Sequence, residues 1–110
     1  MANLGGVGQP VAVKRLASAD ARVRRFELNR ALTGQGHERF ASVSQAVGPR
    51  PAAEVARRLF ATGEAETIHV FSNVVTVRLA PGASGEALAP VLERLYEYWK
   101  PGMIPTVVTG

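Results

Sequence analysis

Two histidines, His37 and His69, and the carboxylates near them hold most of the reactive chemistry in this 110-residue chain. His37 and Glu38 are adjacent, and imidazole beside carboxylate suits ferrous iron or zinc. With His69 they form the candidate metal ligands, for weakly held iron, provided folding brings all three together. Glu64, Glu66 and His69 are the acid and base set that an enzyme would draw on. A Ser-His-Asp arrangement has only Asp20, the one aspartate, or a glutamate to work with, and nothing in the spacing seats a serine beside either histidine. The chain has no cysteine. It therefore offers no disulfide, no thiolate nucleophile and no thiolate ligand for zinc or an iron–sulfur cluster.

The second chemical resource is positive charge. The net charge is +4, and from Met1 to Arg58 there are ten Lys/Arg against four Asp/Glu, reversing to three against five from Leu59 onward. Arg22, Arg24, Arg25, Arg57 and Arg58 are the candidates for contact with nucleic acid, the alternative function. Strand alternation divides them, with Arg22 and Arg24 on the side of Phe26 and Leu28 and Arg25 opposite, so solvated strand ends are the plainer reading. Gly5-Gly6-x-Gly8 and Gly34-x-Gly36 lack the Gly-Lys-Ser/Thr of a phosphate cradle and read as loop glycines. Asn73, Tyr96 and Tyr98 are the candidate partner-binding residues, Trp99 being assigned to the core.

These groups need a frame, and its centre is Ile68–Leu79 (IHVFSNVVTVRL), the densest run of β-branched and aromatic residues. It predicts two strands turning at Ser72-Asn73, with Asn73 tolerating positive φ and Val75, Val77 and Leu79 on one face. Pro10–Leu16 predicts a first strand. Arg22–Asn29 predicts a second, with Phe26 and Leu28 inward and Arg25 and Glu27 outward. Thr33–Glu38 reads as a loop, and Ser42–Val47 as a helical turn or a brief extended piece. A helix is predicted over Ala52–Ala61 with Val55, Ala56, Leu59 and Phe60 as its apolar stripe, Arg57 and Arg58 in water and Gly63 closing it. Glu54 precedes Arg58 by four residues, the favourable order for an ion pair. Ser84 is the predicted N-cap of a second helix carrying Leu88, Val91, Leu92, Leu95 and Trp99, with Pro90 bending it or shifting its start.

The resulting order, ββαββα, predicts an α+β domain: a four-stranded, mostly antiparallel sheet with two helices on one face. Residues 1–9 read as a flexible tail, 10–100 as the domain, and 101–110 as a tail or edge strand. No apolar run approaches the ~20 residues of a membrane span, and no signal-peptide pattern opens the sequence, so a cytoplasmic protein with no membrane partner is expected.

The segments FELNRALT, ERFASVSQA, RPAAEVARRLF, TIHVFSNVVTV and Leu88-Ala89-Pro90-Val91-Leu92 follow one another as in the N-terminal domain of Nfu/NifU-like iron–sulfur scaffold proteins, which residues 10–100 resemble. The family's Thr-Pro-Asn-Pro-Asn entry to the second strand is replaced by Ser18-Ala19-Asp20-Ala21-Arg22. Its Cys-x-x-Cys cluster-binding module is absent. The resemblance implies a stand-alone, non-enzymatic accessory domain in iron–sulfur cluster assembly or iron handling. It implies no thiolate-bound cofactor and a cluster carrier or scaffold protein as partner.

Overall fold

The computed structural model describes residues 12–34 and 36–95. Within them the chain forms β1 (Val13–Leu16), β2 (Val23–Leu28), β3 (His37–Phe40), a 3-10 turn (Val43–Gln45), α1 (Pro51–Phe60), β4 (Ala65–Phe71), β5 (Val74–Leu79) and α2 (Leu88–Glu93). All neighbouring strands are antiparallel, in the order β1-β2-β5-β4-β3. The hairpin singled out in the sequence is the centre of the sheet.

One face of the sheet and the two helices make the core. Phe26, Leu28, Phe40, Ile68, Val70, Val75, Val77 and Leu79 alternate onto that face and are buried against Ala52, Ala53, Val55, Ala56 and Leu59 of α1 and Leu88, Ala89 and Leu92 of α2. The small residues Ala52, Ala53 and Ala56 let α1 lie close on the strands, while Leu59 fills the space between. Pro51 opens the helix, where its missing N–H is no loss. Gly63 (φ +77) follows its last turn. Gly85 (φ +82) runs the chain past Leu79, where a Cβ would lie 3.2 Å from that side chain.

The α+β class and the antiparallel sheet agree with the sequence, but there are five strands, not four. The added strand is β3, which takes His37 and Glu38 from the predicted loop and pairs them with Phe71 and Val70. Residues after Ser42 form the 3-10 turn. Positive φ in the hairpin turn falls on Ser72 (+55) and not on Asn73. Ser84 does not cap α2: Ala87 precedes the helix without a side-chain bond, and the Ser84 hydroxyl accepts the Glu86 N–H at 3.3 Å. Pro90 lies in the first turn of α2, where its missing donor would have had no intrahelical partner. Arg57 and Arg58 are half-buried and not simply solvated, because Glu54 draws both in, at 2.6 and 2.8 Å. Pro10, Val11, Tyr96, Tyr98, Trp99 and the residue 101–110 segment lie outside the described residues.

Candidate functional site

The side of the sheet away from the helices carries no described element. Its side chains form cross-strand rows fixed by the register. One row is Lys14, Glu27, Val74, Phe71, His37, and the next is Leu16, Arg25, Thr76, His69, Arg39. A third, shorter row holds Val23, Arg78 and Thr67. None of these residues is buried, in contrast to the opposite face. Phe71 is 40 % exposed, a large apolar ring between Val74 and His37 in its row. Four cations, Lys14, Arg25, Arg39 and Arg78, share the face with one carboxylate, Glu27. A carboxylate from outside the face, Asp20, reaches Arg78 at 3.6 Å.

At the β3 end of this face the two histidines meet. His37 lies opposite Phe71 and His69 opposite Arg39, so the two imidazoles are diagonal neighbours, within reach across antiparallel strands. His37 Nδ1 is 2.8 Å from His69 Nε2. The ring centroids are 5.0 Å apart with planes 22° from parallel. That separation is close to the nitrogen distance plus the two ring radii, so the bond runs near the ring planes, N–H of one ring to lone pair of the other. His37 stacks in turn on Phe71 at 4.3 Å. Burial, then the positive charge of Arg39 and the neighbouring His37, hold the His69 pKa below the usual imidazole value.

The structure brings together two of the three metal candidates. Glu38, one residue along β3, points to the other side of the sheet and accepts from Arg50 Nε at 2.9 Å. Among the described residues no three His, Cys, Asp or Glu converge as a ligand set. Asn73 is turned inward: its side-chain amide donates to the Leu28 carbonyl at 2.8 Å, while its backbone carbonyl accepts the Leu28 N–H. Glu66 sits at a β-bulge in β4 and pairs with Arg22 at 3.2 Å, and Glu64 Oε1 accepts the Ala87 N–H at 3.4 Å.

The five candidate arginines do not form one surface. Arg22 also donates to the Leu79 carbonyl, Arg24 to those of Ala21 and Val23, and Arg25 to that of Ala17. Arg57 donates to Ala46 and Gly48 carbonyls as well as to Glu54. Of the five only Arg25 belongs to the open face, whose other cations, Lys14, Arg39 and Arg78, were not singled out in the sequence. Their signal was alternation: each falls on the outward parity of its strand.

No helix among the described residues is long and apolar enough to cross a membrane. No protein-family model matches the sequence, and no curated protein sequence does either. The fold is similar to that of protein SAV1430 from Staphylococcus aureus, solved by X-ray crystallography, with a TM-score of 0.59 and 12 % identity over 80 % of this chain and 99 % of that one.

Proposed function

We propose that this chain is a non-enzymatic accessory module, resembling the N-terminal domain of Nfu-type iron–sulfur scaffold proteins, that docks onto a cluster carrier during cluster assembly. The observation that carries the reading is the face of the sheet that no described element covers, where exposed Phe71 and the two imidazoles share the surface with Lys14, Arg25, Arg39 and Arg78. An exposed apolar ring on a face that also carries four cations complements a carrier surface that is acidic with an apolar patch. The segments that carry the resemblance support the same reading: RPAAEVARRLF contains α1, and TIHVFSNVVTV spans most of β4, its turn and most of β5. Lacking cysteine, the chain supplies no thiolate; its contribution is to orient the carrier.

The test is an amide-shift titration of the labelled protein with a cysteine-bearing cluster-carrier domain under anaerobic conditions. Shifts confined to the sheet strands and absent from the two helices, with binding weakened about tenfold or more by Arg39→Glu with Phe71→Ala, are the expected result. Shifts on the helices instead, or none at near-millimolar carrier, overturn it.

One observation favours a second reading, a small nucleic-acid-binding domain. Aromatic and imidazole rings exposed between cations on an open sheet are a platform on which unpaired bases stack. A single-stranded oligonucleotide whose affinity falls steeply with salt, and falls again in Phe71→Ala, would place the nucleic-acid reading ahead of the carrier.

A further inference from the structure

We infer that His37 and His69 form a two-imidazole site for a late divalent transition-metal ion, Cu²⁺ or Ni²⁺, on the open face of the sheet. The inference stands apart from the docking reading and needs no partner.

The geometry carries it. Two ring nitrogens from different strands already lie 2.8 Å apart, and one of them must present a lone pair for the bond between them to exist. Ligands at about 2.0–2.1 Å from an ion stand about 2.9 Å apart when they meet it at a right angle and about 3.3 Å apart when they meet it tetrahedrally. The observed spacing matches the right angle of tetragonal Cu²⁺ and Ni²⁺ sites, for which imidazole is a favoured ligand. Metal entry displaces the bridging proton, which passes through water to the other nitrogen of its own ring so that both imidazoles stay neutral, and each ring turns until both lone pairs aim at one point off the line between them. His37 is exposed and lies on an edge strand, and the space beside it is open for waters to complete the coordination. The stack on Phe71 holds the His37 ring on the side facing His69.

Two features limit the affinity. Only two protein ligands are present, and Arg39, directly opposite His69, adds a repelling charge, with Arg25 and Arg78 further along the face. Glu38, on the far side of the strand, does not contribute.

The experiment is copper binding to the whole chain, followed by isothermal calorimetry and by electron paramagnetic resonance at neutral pH. One Cu²⁺ per chain is expected, with an axial spectrum showing nitrogen couplings from two imidazoles. His37→Gln and His69→Gln should each weaken it more than about tenfold, while Glu38→Gln leaves it unchanged. Nickel should bind more tightly than zinc. Both histidine side chains stand outside the core, and amide spectra of the variants confirm that they fold. Copper affinity unchanged in either histidine variant, or a spectrum without imidazole couplings, overturns the site. Zinc bound more tightly than nickel overturns the right-angle assignment.

Discussion

Glu54 shows how single side chains set the chemistry of this surface. Burial raises its pKa, but the hydrogen bonds and charges of Arg57 and Arg58 outweigh that and hold it below the usual carboxylate value. A carboxylate with a depressed folded pKa contributes stability that is present above its unfolded pKa and lost as pH falls through the folded one. Glu54→Gln should therefore cost less than about 1 kcal/mol at neutral pH, since the group and its partners are partly exposed. The cost should shrink as the solution is acidified below the ordinary carboxylate range, and urea titrations of the two proteins at several pH values check this. A gap that widens towards acid would contradict the assignment. The Glu54–Arg58 pair was legible in the sequence from spacing alone. The His37–His69 pair was not: it spans 32 residues and depends on β3 pairing with β4 in one register.

Among the elements, the outcome follows the strength of the pattern. The β4–β5 hairpin and α1 were legible because β-branched alternation and a helical apolar stripe each bury several side chains. β3 was missed because HERF has a single buried residue, Phe40, and short, polar edge strands resemble loops. The hairpin turn was placed correctly, yet its role was not legible. Ser72 takes the left-handed conformation and its N–H donates to Thr33 Oγ1 at 2.7 Å, while Asn73 bonds the end of β2 through both side chain and backbone. The turn thus ties three segments together. Asn73→Ala removes the amide from a half-buried Leu28 carbonyl contact and should lower stability by about 1 kcal/mol, read as a smaller midpoint in denaturant with the slope unchanged.

For the molecule as a whole, the sheet is sided. One face is covered by two helices and packed with apolar side chains, and the other holds charge, imidazole and one exposed phenylalanine. Charge composition suggested a basic N-terminal half. In three dimensions the cations that matter come from β1, β2, β3 and β5 and meet on one surface, which no count along the chain reveals. A strand order of β1-β2-β5-β4-β3 also separates neighbours in space from neighbours in sequence. The β4–β5 contact is local, whereas β2 and β3 find their inner partners only among residues 65–79. Val77→Ala should slow refolding, and Val13→Ala should chiefly hasten unfolding, with stopped-flow denaturant jumps separating the two. During synthesis β1, β2 and β3 leave the ribosome before either central strand exists. The first half of the chain must wait, unpaired at its inner edges, until Leu79 has emerged, and the sheet then closes outward from its middle.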